Sequence, residues 1–396
     1  MGSPVNRAAR QGQMSLWGLE PVVLPPLLDR VRTEVRSFLA DEISTGRITP
    51  RCDQWLGGWD ASFSRRLAER GWLGMAFPVT YGGTGAGALA RFVVTEELLA
   101  AGAPVAAHWI ADRQSGPGLL RFGTEEQKQT YLPRIARGEC FFAAGMSEPD
   151  TGSDLASVRT RATRVDGGWR VSGTKVWASG AHRAHAMIAL VRTESRSEDR
   201  HAGLTQVLMD LPHPDVHVRP ILLLTGEHHF NEVVFDDVFV PDSRVLGSPG
   251  SGWHQVTSEL AMERSGPERI LSTFPLLSAA IDHLAANAVA AVATRVGALV
   301  ARLWTLRQMS LAVAGQLEAG AAPAVNAALI KDLGTRFEGV LIDTVRELSG
   351  VAPDLESADP LAVLLAESVV HSPGFTLRGG TNEILRGVVA KELGVR

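Results

Sequence analysis

Between Phe141 and Gly180 the hydrophobic pattern changes period, and this block most limits what the chain can fold into. Phe141 to Ala144 is a short apolar run. Ser147-Glu148-Pro149-Asp150-Thr151-Gly152-Ser153-Asp154 follows, a cluster of turn formers with free hydroxyls and backbone donors. From Ser157 to Val165 the chain alternates, Asp166-Gly167-Gly168 is a hairpin signal, and Trp169 to Ser172 returns as a partner strand. A loop with Gly152 and hydroxyls on Ser147, Thr151 and Ser153 suits a phosphate-bearing or polar-ringed ligand, because backbone can approach closely and donors converge. Taken alone, an ordinary polar hairpin loop reads the same way.

On either side the pattern is helical. Leu28, Val31, Val35 and Leu39 recur at spacings of three and four. Asp60 is placed to cap a helix carrying Phe63 and Leu67 and closed by Gly71, and Ala88 to Ala101 is helical again. Thr124-Glu125-Glu126-Gln127 has the form of a capping box, and its helix is expected to stop before Pro133. Beyond Gly180, the runs 186–191, 203–211, 216–223 and 230–240 read as strands. From Gly252 the spacing predicts helices over 253–271, 276–317 and 325–348. Ala285 to Ala293 is apolar on most faces, which predicts burial between helices or against another subunit. The order is α, then β, then α. The class is α+β, with a tail at 1–19, an N-terminal helical domain at 20–140, a middle β-barrel-like domain at 141–245 and a C-terminal helical bundle at 246–396.

Composition narrows the function classes. A net charge of −4 over 396 residues gives no long-range attraction for nucleic acid or an anionic membrane. Cys52 and Cys140 are too few for a disulfide framework, sit in no metal-ligand spacing and read as small buried residues. No run of 18 apolar residues occurs, and the first 14 residues lack a signal-peptide core, so a disordered tail and a cytoplasmic location are expected. His228-His229 precedes a strand, and adjacent residues on an extended chain point to opposite faces, a poor geometry for a shared metal. No metal site is expected.

The motifs MSEPDTGSD (146–154), GTKVWASG (173–180) and FNEVVFDDVFVP (230–241) occur in an order that resembles the flavin-binding middle domain of the acyl-CoA dehydrogenase family. The resemblance runs from about Glu20 to the C-terminus. It implies FAD, since removing hydrogen from the α and β carbons of a thioester needs a base, a polarised carbonyl and a hydride acceptor that side chains cannot supply. It places Met146 and Ser147 at the pyrimidine end of the ring, and Gly152 and Ser153 near the cofactor and the CoA arm, with Ser153 also a substrate contact. Trp177 and Ser179 fall beside the ring near N5. Gly380, Thr381 and Glu383 fall on the adenosine half. A core tryptophan is the plain alternative for Trp177.

Many members of the family carry a glutamate directly before this Gly-Thr pair, where the chain has Gly379. The other family location is a Leu-x-x-Glu-Arg helix, matched by Leu260-Ala261-Met262-Glu263-Arg264. The resemblance therefore implies Glu263 as base, its carboxyl expected to rise in pKa when an acyl chain displaces water. Arg264 and the backbone N–H of Gly379 are implied at the substrate. A solvated helix glutamate is the plain alternative for Glu263. His108, Trp109, Asp112, Arg113 and Gln114 fall where the family lines its acyl pocket, which points to a polar or bulky acyl group.

One departure stands out. The family's Arg-x-x-Phe-Gly segment, which reaches into a neighbouring subunit's cofactor, is replaced by Ala288 to Arg295. The expected partners are an acyl-CoA or acyl-carrier-protein thioester and an electron-transfer flavoprotein or other acceptor. A homo-oligomer is expected, with a heteromer as the alternative. The leading reading is α,β-desaturation of an acyl thioester. An oxidase passing electrons to oxygen and a half-site subunit of a heteromeric complex stand beside it.

Overall fold

A computed structural model of the chain describes residues 18–195, 197–285 and 289–395, with only the backbone described at 260–263. Most of the tail expected at 1–19 thus lies outside the described residues.

Local signals start the N-terminal helices. α1 (Pro26–Ser44) begins on Pro25-Pro26, whose fixed φ suits a first turn. α2 (Ala61–Glu69) is capped by Asp60, whose Oδ1 accepts from the Phe63 N–H at 2.8 Å. α3 (Gly87–Ala100) leads to α4 (Ala106–Ile110), which continues through a π-helical turn (Ala111–Ser115) into α5 (Gly116–Phe122). α6 (Glu125–Ala136) carries the expected capping box, at 3.2 and 3.1 Å. It does not stop before Pro133. Tyr131 and Leu132 before the proline and Ile135 after it are all buried, and that packing holds the last turn together.

The middle region is one eight-stranded sheet. β1 (Phe142–Gly145), β2 (Arg161–Val165), β3 (Gly168–Lys175), β4 (Ala186–Arg192), β5 (Leu204–Asp210), β6 (Val216–Leu222), β7 (His228–Pro241) and β8 (Val245–Leu246) run in the order β6-β7-β3-β2-β4-β5-β8. β1 lies parallel to β4, with Phe142 opposite Ala186. The Asp166-Gly167 turn joins β2 to β3 with Val165 opposite Gly168. Every residue of β4 is buried. Met187, Ala189 and Val191 face the sheet's own core, while Ala186 and Ile188 pack with Tyr131, Leu132 and Ile135 of α6. The period of two thus fastens the sheet to the helical region. Gln127 adds a polar fastening, its amide donating to the carbonyls of Ser243 and Val245 at 2.8 and 2.9 Å.

The C-terminal third holds α7 (Gly252–Glu263), a 3₁₀ turn (Pro267–Arg269), α8 (Phe274–Ala285), α9 (Ala290–Glu318), α10 (Ala324–Ser349), α11 (Pro360–Phe375) and α12 (Asn382–Glu392). The helix expected to reach Leu271 ends at Glu263, ahead of Gly266-Pro267. The span expected over 276–317 is two helices. Within the stretch 285–293, residues 286–288 lie outside the described residues and Val289 is exposed. The described residues of that stretch are mostly exposed, so they are not buried between helices of this chain. α11 was not singled out because its Leu-Val-Ala run has almost no amphipathic period to detect.

The two helical regions share one core. Phe63 and Trp109 from the first third pack with Leu276, Phe337 and Leu365 from the last. Burying side chains of this size contributes about 1.5–3 kcal/mol each, so the N- and C-terminal helices hold one another.

Candidate functional site

The loop after β1 is shaped by a buried ion pair. Lys175, at the end of β3 and fully buried, donates to the Met146 carbonyl at 3.0 Å and pairs with Glu148 at 2.9 Å. Glu148 also accepts from the backbone N–H groups of Arg159 and Thr160 at 2.6 and 2.8 Å. Burial opposes both charges, but each holds the other; the Lys175 ammonium is lowered to about 8 and the Glu148 carboxyl also lies below its ordinary value. The Val176 N–H donates to the Ser147 carbonyl at 2.9 Å, so the loop and the strand end are one unit. Met146 is half-buried and packs toward Val158, Leu190, Leu204 and Val256. Ser147 is half-buried, while Gly152 and Ser153 are exposed. The Thr151 hydroxyl is buried with no hydrogen-bond partner among the described residues.

Trp177 follows at φ +60°, a left-handed conformation rarely taken by a bulky residue, with its indole 57% exposed and edge-on to Phe230 at 5.7 Å. It is not a core tryptophan. A strained backbone holding a large aromatic surface outward marks a surface meant to be covered. The strand β7 keeps the turn in place: the Ala178 N–H donates to the Asn231 carbonyl at 3.1 Å and the Gly180 N–H to the His229 carbonyl at 3.0 Å. Ser179 lines a narrow cleft with Trp55, Trp59, Trp109 and His229. His229 is buried, and burial lowers it to about 4, so its ring is neutral. Its Nε2 has no hydrogen-bond partner among the described residues. His228 instead stacks on His182 at 3.7 Å and bonds Asn231 at 2.7 Å. Among the described residues no group of His, Cys, Asp and Glu suits a metal ion. Exposed indole, orphaned donors and a rigid loop fit a flat heteroaromatic group with polar edges.

The second half of the site is the Gly379-Gly380 loop, with φ +69° and +92°. Arg264 Nε donates to the Gly379 carbonyl at 3.0 Å. This bond joins the end of α7 to the position where many relatives of the resembled family carry glutamate. A Cβ at Gly379 would lie 2.7 Å from Nη2 of the buried Arg269. Arg378, just before, is held bidentate by Asp53 at 2.7 and 2.6 Å. Burial alone would raise the Asp53 carboxyl, but Arg378 and His371 hold it far below its ordinary value. His371 lies 3.0 Å from Asp53 and 3.6 Å from Glu227; burial disfavours its charge, yet these carboxylates raise it to about 9. Lys331 holds the Thr376 carbonyl at 3.0 Å and Asn382 at 2.7 Å, and burial with nearby Arg269 and Arg378 lowers it to about 7. Thr381 caps α12 by accepting from the Ile384 N–H, and Glu383 is exposed in its first turn.

Glu263 closes α7; its side chain lies outside the described residues. The helix residues singled out for the acyl pocket divide. His108 bonds Ser64 at 2.8 Å and Asp112 accepts from the Gly74 N–H at 2.7 Å, so both serve the helical core. Trp109 lines the cleft beside Ser179. Sequence reasoning missed Lys175, Asp53, Arg269, Lys331 and His371.

Comparison with known proteins carries the assignment. The family models for the acyl-CoA dehydrogenase N-terminal and middle domains match residues 27–139 and 143–238. The acyl-CoA dehydrogenase IpdE1 of Mycobacterium tuberculosis (strain ATCC 25618 / H37Rv) is 31% identical over 381 residues, covering 92% of this chain and 97% of that protein. FadE34 of the same organism is 34% identical over 344 residues, 83% of this chain, which spans only 45% of that relative. Among solved structures, the Tcur3481-Tcur3483 steroid ACAD aligns with TM-score 0.83 at 27% identity, over 94% of this chain and 98% of that one. The ChsE4-ChsE5 complex from Mycobacterium tuberculosis aligns with TM-score 0.82 at 25% identity, over 95% and 99%. With both family models matched in chain order and a relative aligned over almost its full length, the chain belongs to the acyl-CoA dehydrogenase family of FAD-dependent enzymes.

Proposed function

We propose that the chain desaturates an acyl thioester between its α and β carbons, with Glu263 as the base. The observation that carries this reading is the 3.0 Å bond from Arg264 to the Gly379 carbonyl. It sets the residue after Glu263 against the one loop position where the resembled family has its other base, and Gly379 offers no side chain to compete. FAD, when bound, supplies the acceptor for the β-hydride. Met146, Ser147, Trp177 and Ser179 are assigned to its ring, Gly152 and Ser153 to the loop between the cofactor and the CoA arm, and Gly380, Thr381 and Glu383 to its adenosine half. The loop fixed by Lys175 and Glu148 and the outward-held indole of Trp177 support this, since an indole plane covered by the ring would shield it from water. The Gly379 N–H is assigned to the thioester carbonyl, where a fixed donor stabilises charge developing on oxygen. Glu263 takes the α-proton at its carboxylate.

The test is Glu263→Gln, which keeps size and removes basicity. FAD content and folding should persist, while anaerobic bleaching of the flavin by acyl-CoA slows by a factor on the order of 10² or more. Wild-type bleaching in this variant would remove Glu263 from the mechanism.

A second reading concerns assembly. The outer face of α9 exposes Val300 and Trp304, with Val289 just before it. Such a face favours a subunit partner, and solved relatives named as two-component assemblies make an unlike partner the alternative to a second copy. Native mass of the chain expressed alone and with candidate partners separates these. An electron-transfer flavoprotein remains the proposed acceptor. Among the described residues no helix is long and apolar enough to cross a membrane.

A further inference from the structure

A pocket separate from the Ser179 cleft lies between α3, the π-helical turn and α9. Arg91, Phe92, Arg113, Ser265, Gly266 and Ser310 line it. Arg91 is half-buried, and among the described residues its guanidinium has neither a hydrogen bond nor a carboxylate within ion-pair distance. The other cations around α3 are matched. Arg32 and Arg36 take Glu96 and Glu97, and Arg307 takes Glu96.

Asp112 and Glu268 attract Arg91 without reaching ion-pair distance. Asp112 accepts from the Gly74 N–H. Glu318 accepts from the first amides of α3, at Ala88 and Leu89. Glu268 is buried against Gly266 and lies 3.9 Å from Arg113, with its Oε2 lacking a hydrogen-bond partner among the described residues. Arg113 itself stacks on Trp109 at 4.5 Å and donates to Thr95 at 2.8 Å. Burial and the repulsion of Arg113 lower Arg91 to about 10 against the pull of Asp112 and Glu268, so it stays charged at neutral pH. A cation partly removed from water with no anion in contact is costly, and an anion that pairs with it offsets part of that cost.

We propose that this pocket binds a carboxylate between Arg91 and Arg113, with the Arg91 guanidinium as its main contact. Two sources share that chemistry: a free small carboxylic acid, or the carboxyl end of an acyl group whose thioester lies near Glu263. Ser265 and Gly266 follow Glu263 by two and three residues, which places the pocket beside the end of α7. The acyl-borne source rests on the desaturation reading above; the site itself does not.

The test uses the FAD-loaded enzyme and its Arg91→Met and Arg91→Lys variants. Thermal unfolding is followed against succinate and acetate at fixed ionic strength, with chloride as the control. Binding of adipoyl-CoA and hexanoyl-CoA is measured by calorimetry. A free-acid site gives a saturable rise in Tm with succinate that Arg91→Met loses and Arg91→Lys partly keeps. An acyl-borne carboxylate gives adipoyl-CoA an advantage of about tenfold or more over hexanoyl-CoA, the usual scale for a charge-assisted bond, and Arg91→Met removes it. If carboxylates give no saturable response and the adipoyl-to-hexanoyl ratio is the same in wild type and Arg91→Met, the proposal is overturned. Glu263→Gln separates the two ideas: it should abolish bleaching and leave both carboxylate responses intact.

Discussion

The guanidinium of Arg269 stands where a side chain at Gly379 would begin, 2.7 Å from the Cβ position. Beneath this loop position, which has no side chain of its own, lies a buried cation. The left-handed φ of +69° adds a second bar to any side chain. Gly379→Ala should therefore cost about 1–2 kcal/mol for the backbone alone, plus whatever Arg269 must yield. Gly379→Glu, even combined with Glu263→Gly, should place its carboxylate on Arg269 and recover little activity. Substantial recovery of anaerobic bleaching by that double variant would show that Arg269 moves aside and that the two positions are interchangeable.

A second expectation concerns His371. Its folded pKa of about 9 lies above the ordinary 6.5. The stabilisation it contributes is fully present below pH 6.5 and lost as pH rises through 9. Melting temperature measured from pH 6 to 10 should fall across this window, and His371→Gln should flatten that part of the curve. An unchanged slope in His371→Gln would mean that Asp53 and Glu227 do not hold the imidazolium.

Glu338 makes the opposite contribution. It is fully buried on α10, where desolvation and the nearby Asp53 raise its carboxyl to about 8 against the pull of Arg378. Between pH 4.5 and 8 the folded chain holds a proton here that the unfolded chain releases, so stability falls as pH rises through that window. One proton retained in this way costs at most about 1.4 kcal/mol for each pH unit crossed, which bounds the effect at several kcal/mol above pH 8. Glu338→Gln should raise the melting temperature at pH 8.5 and change it little at pH 5. Equal changes at both pH values would place the cause in packing.

What was legible in the sequence was what local chemistry dictates. Thr124 and Gln127 wrote the capping box, Asp166-Gly167 wrote the hairpin, and the apolar run of β4 with the alternation of β7 wrote the sheet. The polar loop at 147–154 and the glycines at 379–380 were visible because turns of that kind need those residues. Three things were hidden. Pro133 reads as a helix stop, yet tertiary burial on both sides overrides it. Glu148 and Lys175 lie 27 residues apart, and neither alone shows that they will meet beneath the sheet's end. The Asp53–Arg378 clamp spans 325 residues and depends on the two helical regions sharing one core. Long-range ion pairs leave no periodic trace, so the parts of the site that set its shape were harder to see than the parts expected to touch a ligand.

Lys175 tests whether that hidden shaping matters. Its ammonium is fully buried and holds both the Met146 carbonyl and Glu148. Lys175→Met preserves most of the volume but strands Glu148, and breaking a buried pair from one side costs about 3–5 kcal/mol. The loop from Met146 to Thr160 should loosen, because Glu148 also organises the Arg159 and Thr160 amides. Denaturant unfolding should show the lost stability, and FAD retained through gel filtration should fall with it. The double variant Lys175→Met with Glu148→Gln removes the stranded charge, so it should regain part of the stability. FAD retention should not recover in step, since the Met146 carbonyl still lacks its donor. If the double variant regains stability and cofactor together, the ion pair serves folding alone, and Met146–Ser147 is positioned by something else.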